Sequence, residues 1–194
     1  MLVVIGHGAS PDGKGWGVEI DKHPVVRMHD SFWQEPSDWG ARCDYTVLPG
    51  PWGPKIYTMP TRTPNRAWML YTLPMQRKGW KIRKAMAGRP IVPQRISDEC
   101  RSIYSEGFVP TRGLCAIIMA HKVLKATDIM LIGFDSILSG VTKPYSQRVP
   151  KEISEVVTPG DVCNRRHHFE LERECLFSWA SEAKVNLVEA SWQH

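Results

Sequence analysis

The sequence predicts an α/β protein with a mainly parallel central sheet, and three observations predict it. Short runs that are apolar throughout have the character of strands covered on both faces. Stretches with helical apolar spacing lie between them. Residues 112–135 join one of each into a helix–strand unit that packs on a sheet. At 194 residues the chain reads as one domain, 1–194, long enough to bury most of its apolar surface in a single core.

Taken in order, the first strand is Leu2–Ile5, which runs straight into Gly6-His7-Gly8-Ala9-Ser10. A second is expected at Val25–Met28, continuing into His29-Asp30, and a third at Tyr45–Leu48. Residues 49–64 are too rich in Pro and Gly for regular elements and read as a loop holding a short strand at 56–59. Helices are expected at about 64–73 and 97–105. The helix at 112–125 is the clearest, because Ala116, Ile117, Ala120, Val123 and Leu124 repeat at helical spacing. It leads through Ala126-Thr127-Asp128 into a strand at 129–132. Residues 136–166 contain Pro144, Pro150 and Pro159 and little amphipathic periodicity, so they read as a lid over a site or a disordered loop. A last helix, Phe169–Ala183, precedes a strand at 186–188. Strands and helices alternating in this way describe a Rossmann-like domain.

Composition narrows the function. The apolar fraction of 42% and charged fraction of 23% are those of a globular protein. No apolar run approaches a membrane span, and the N-terminus lacks the pattern of a signal peptide. Five cysteines at irregular spacing, with no C-x-x-C pair, suggest neither a disulfide framework nor a zinc site, and no metal site is expected. These features point to a reducing cytoplasm. A net charge of +5 favours anionic partners, whether nucleotides, phosphosugars or nucleic acid.

Four stretches are candidates for the site. The Gly6–Ser10 loop lets backbone N–H groups approach an anion, although strand-to-glycine turns are also common without one. Arg27 and His29 lie at the carboxyl end of an inner strand, where open α/β sheets bind ligands; solvent-facing positions on a strand would look the same. Pro110-Thr111-Arg112-Gly113 puts a hydroxyl, a guanidinium and a glycine at a helix N-terminus, which suits a phosphate, or Thr111 is simply an N-cap. His167 and His168 begin the last helix. A helix N-terminus disfavours imidazolium, and neutral imidazole is the form that acts as a general base; Glu170, Glu172 and Glu174 need only the helix dipole to explain them.

In order, these residues resemble the sialyltransferase family of CMP-sialic-acid-dependent glycosyltransferases. The family's Gly-Asn-Gly-x-Ser loop is similar to Gly6-His7-Gly8-Ala9-Ser10, and its Ile-Asp…Val-x-Arg-x-Asn segment to Ile20-Asp21 through Arg27-Met28-His29. Its small motif, Pro-Ser-Thr-Gly followed by a helix and Asp…Gly-Phe, is similar to Pro110–Gly113 and Asp128 through Gly133-Phe134. Its closing His-x4-Glu is similar to His167 through Glu172, within "HHFELER".

The resemblance implies a sialyltransferase-like topology, a variant of the GT-A fold. It implies a metal-independent inverting glycosyltransferase that uses a CMP-sugar donor, needs no cofactor and acts on a glycan or other hydroxyl acceptor. His167 would be the catalytic base and Glu172 its support. Gly6, His7, Gly8, Ser10, Arg27, His29, Thr111, Arg112, Gly113, Gly133, Phe134 and Tyr145 would bind the donor. Two family asparagines are His7 and His29 here, the family's Ser-Thr pair is Thr111-Arg112, and the disulfide cysteines of the animal enzymes are unmatched. Two other readings fit the same chain. One is a nucleotide-sugar enzyme that modifies nucleic acid or a nucleotide, suggested by the net charge, "QRKGWKIRK" at 76–84 and eight tryptophans. The other is a nucleotide-binding protein that keeps the fold without catalysis.

Overall fold

The computed structural model describes residues 1–28, 35–48, 67–69, 111–141, 143, 146 and 168–192. Six strands form one sheet: β1 Leu2–Ile5, β2 Val25–Met28, β3 Tyr45–Leu48, β4 Ala67–Met69, β5 Asp128–Ile132 and β6 Asn186–Glu189. Their spatial order is β4-β3-β2-β1-β5-β6, and all five pairings are parallel, as expected for the Rossmann-like class. The helices are α1 Gly17–Ile20, α2 Pro36–Trp39, α3 Arg112–Leu124, α4 Asp135–Ser139 and α5 Phe169–Ala183.

The period-2 alternation of strand side chains assigns each residue of β1 to one of two cores. Leu2 and Val4 join Val26, Met28 and Val47 beneath α3 and α5, with Ile117, Ile118, Leu176 and Trp179. Val3 and Ile5 join Val25, Met130 and Ile132 on the other face, covered by Trp16, Ile20 and Trp39. The continuous apolar runs of β1 and β5 follow from this: each strand is covered on both sides. Residues 114–120 of α3 are buried without a break, so this helix lies inside the molecule, and of its spaced apolar residues only Val123 reaches the surface.

One expected element is corrected. The helix read over 64–73 gives way to β4, where Ala67, Trp68 and Met69 pair with Thr46, Val47 and Leu48. A short apolar run has no periodicity of its own to separate helix from strand, and the edge of β3 decides it. The expected strand at 56–59 and helix at 97–105 lie outside the described residues. The one-turn helices α1 and α2 were not legible. The stretch expected to act as a lid begins with α4, and the described Ser146 is buried; its residues 147–166 lie outside the described set. No helix among the described residues is long and apolar enough to cross a membrane.

Candidate functional site

The sheet order reverses direction at β1, whose neighbours β2 and β5 lead to opposite edges. Open α/β sheets bind ligands at the carboxyl ends of strands beside such a switch point. Three of the four candidate stretches lie there, the loop after β1, the end of β2 and the start of α3, beside the turn after β5.

The loop after β1 is held by the turn after β5. The N–H groups of Gly6 and Gly8 donate to the carbonyls of Ile132 (2.7 Å) and Gly133 (2.8 Å), and that of Ser10 donates to Asp135 Oδ2 (2.9 Å). Of the loop N–H groups, those of Gly6, Gly8 and Ser10 are thus used inside the protein. The glycine at position 8 has a packing cause. A Cβ there would fall 2.5–2.8 Å from Cγ and both oxygens of Asp135. Gly133 takes a left-handed φ of 68°, which aims its carbonyl at Gly8, and it rests on the Trp39 ring.

His7 is half-buried at the tip of β1. Its Nε2 lies 3.1 Å from the Met28 carbonyl oxygen, so that nitrogen carries the hydrogen and donates to the end of β2. Its own carbonyl accepts from the Ser146 N–H at 3.0 Å. Ser146 is also tied through its hydroxyl to Asp12 Oδ1 (3.0 Å), which accepts from Trp39 Nε1 at 3.0 Å. The histidine in the loop thus joins three chain segments.

Arg27 lies beneath the site. Only 3% exposed, it donates from Nε to the Arg42 carbonyl (2.9 Å) and from Nη2 to those of Trp39 and Gly40 (2.8 Å each). Burial pulls its pKa below the ordinary value, against the opposing pull of Cys43 and Asp21. The structure places this guanidinium as a brace for the 39–42 turn.

The start of α3 is joined to α5 by a buried carboxylate. Glu172 is fully buried and accepts from the Thr111 N–H at Oε1 (2.8 Å) and the Thr111 hydroxyl at Oε2 (2.6 Å). The Thr111 oxygen in turn caps α3 by accepting from the Leu114 N–H at 3.2 Å. Both hydrogens of Thr111 therefore go to Glu172, and the residue acts as cap and tie at once. Phe134 packs between Gly6 and Gly113: a Cβ at either glycine would come within 3.3 Å of its ring. That ring spaces the first loop from the start of α3.

His168 is the N-cap of α5, with Nδ1 accepting from the Leu171 N–H at 3.2 Å. His167 precedes it in sequence; His167, His29, Tyr145, the Arg112 side chain and the basic stretch 76–84 lie outside the described residues. Sequence reading passed over Asp12, Trp39, Asp135 and Ser146. Of these only Asp135 had a local signal, as an acidic residue directly after Gly133-Phe134.

No protein-family model matches the sequence, and no curated protein matches it. Solved structures do match. The chain is similar to the sialyltransferase CstII from Campylobacter jejuni, in complex with the substrate analogue cytidine-5′-monophosphate: TM-score 0.66 at 11% identity, covering 97% of this chain and 78% of that one. It is similar to the monofunctional α-2,3-sialyltransferase Cst-I from the same organism, with TM-score 0.66 at 15% identity over 97% and 74% of the two chains. A CST-II complex with a trisaccharide acceptor and CMP gives TM-score 0.65 at 10% identity over 97% and 79%. The fold is therefore that of these sialyltransferases.

Proposed function

We propose that this chain is a glycosyltransferase that transfers a sialic-acid-like sugar from a CMP-sugar donor to an acceptor hydroxyl, by one inverting displacement and without a metal. The observation that carries the reading is the Glu172–Thr111 tie. It joins the first turns of α5, which His167 precedes in sequence, to the start of α3. The shared fold supports the choice of nucleotide, since the similar CstII structure contains CMP.

In this reading the acceptor oxygen attacks the anomeric carbon while the bond from that carbon to the CMP phosphate oxygen breaks. His167 takes the hydroxyl proton, a contribution of about 10²–10⁴-fold in rate. The first turn of α3, with Arg112 and Gly113, faces the departing phosphate. His7, His29 and Tyr145 supply side-chain contacts in place of the loop N–H groups. Gly6, Gly8, Ser10, Gly133 and Phe134 shape the walls, and Arg27 braces the turn behind them. Glycans are the acceptor class, by analogy with the trisaccharide in the CST-II complex.

The test is a thermal-shift panel of CMP, UDP, GDP and ADP. CMP at a hundredfold over its dissociation constant stabilises the fold by about 2.7 kcal/mol, and the other nucleotides give little. Clear stabilisation by UDP, GDP or ADP with none by CMP overturns the donor assignment.

A further inference from the structure

The two long helices are capped by different chemistry. Serine, threonine, aspartate and asparagine are the usual N-cap residues, and each offers an oxygen that accepts at neutral pH and in mild acid alike. α3 follows that pattern, with the Thr111 hydroxyl accepting from the Leu114 N–H at 3.2 Å. α5 departs from it. Its cap is His168, whose Nδ1 accepts from the Leu171 N–H at 3.2 Å. A ring nitrogen accepts through its lone pair, so this bond exists only in the neutral tautomer that carries its hydrogen on Nε2.

Imidazole is the side chain that changes charge between pH 5 and 8. A proton on Nδ1 sets a donor against the Leu171 N–H, itself a donor, and puts a positive charge at the positive end of the helix dipole. His168 is exposed, so the proton arrives without rearrangement. The charged groups on the elements at this end are Glu170, Glu172, Arg173 and Glu174 on α5, Asp135 on α4 and Lys143 beyond it. In sequence, His167 precedes α5 and Arg112 begins α3. The carboxylates favour a charged ring and the cations oppose it, but none of them returns a lone pair to a protonated Nδ1.

The turn that His168 holds carries the tie to α3. The Glu172 N–H donates to the His168 carbonyl at 2.9 Å, and the Glu172 carboxylate accepts from the Thr111 N–H and hydroxyl. Cap, helix start and tie are therefore one chain of bonds. We infer that His168 is a positioning residue: its neutral ring holds the first turn of α5 and through it the Glu172–Thr111 tie, and mild acid releases both. The release stands apart from the proposed reaction; its effect on turnover rests on that reading.

The experiment compares the wild type, His168→Asn and His168→Ala at pH 7.5 and pH 5.0. Asparagine caps at both values and alanine at neither, while Glu172 is common to all three, so differences among them report the cap. The wild type is expected to melt level with His168→Asn at pH 7.5 and about 2–4 °C below it at pH 5.0. His168→Ala melts below His168→Asn by a similar margin at both. Site-resolved hydrogen exchange reads the tie. On going to pH 5.0 the protection factors of the Leu171 and Thr111 N–H groups are expected to fall about fivefold further in the wild type than in His168→Asn. A gap in melting that is the same at both pH values overturns the inference, as does Thr111 protection that changes equally in the two proteins. Turnover is read as hydrolysis of a CMP-sugar, whose acid fall in kcat is steeper in the wild type than in His168→Asn; equal slopes overturn the positioning role. If the wild type hydrolyses no CMP-sugar, the donor reading fails, and melting and exchange still decide the inference.

Discussion

At the scale of single residues, two of the charged groups buried among the described residues, Arg27 and Glu172, hold the candidate site, and each is tied to main chain. Arg27 satisfies three carbonyls of the 39–42 turn. Arg27→Met keeps the volume and strands those acceptors, so it is expected to destabilise the fold by about 3 kcal/mol. A denaturant midpoint that falls at constant m-value checks this, and a variant as stable as the wild type contradicts it. Glu172 does the corresponding work for Thr111. Glu172→Ala is expected to lose about 2 kcal/mol, because the Thr111 N–H is left unpaired in the interior. Neither role was legible. Glu172 was singled out only as a support for His167, from its spacing behind that histidine, and not as a partner of Thr111; nothing near Arg27 in sequence shows that carbonyls from residues 39, 40 and 42 converge on it. The packing cause of Gly8, room for the Asp135 carboxylate, was not legible, because its partner lies far along the chain.

At the scale of elements, the two long helices end alike. Lys125 after α3 and Lys184 after α5 take left-handed φ values of 60° and 55°, and in each case the next N–H reaches back to the carbonyl six residues earlier or five. A lysine is strained there, so Lys125→Gly is expected to stabilise the protein by about 1 kcal/mol, read as a higher melting temperature. The start of α5 separates two adjacent histidines. His168→Ala removes the N-cap and is expected to lower stability by about 1 kcal/mol while largely retaining turnover. His167→Ala is expected to leave melting nearly unchanged and cut donor hydrolysis by about two to four orders of magnitude. An unaffected rate in His167→Ala removes it from the mechanism. Both helices were readable from apolar spacing, as were β1, β2, β3, β5 and β6. The edge strand β4 was not, because three residues define no period, and its identity comes from pairing with β3.

At the scale of the whole molecule, the parallel sheet was readable from the order of its elements, and the switch point at β1 follows from strand order alone. The hydrogen bonds that close the site were not readable, because they join residues distant in sequence: Ser146 to Asp12, Glu172 to Thr111 and Asp135 to Ser10. The central place of β1 has a consequence for how the protein is made. Leu2–Ile5 leaves the ribosome before the other described strands, yet one of its edges pairs with Ile129–Ile132, which emerge much later. Until then, of the described strands, only β1, β2, β3 and β4 can assemble, with one edge of an entirely apolar strand unpaired. Nascent chains halted before residue 128 should therefore bind a chaperone or aggregate, and should stop doing so once β5 has emerged.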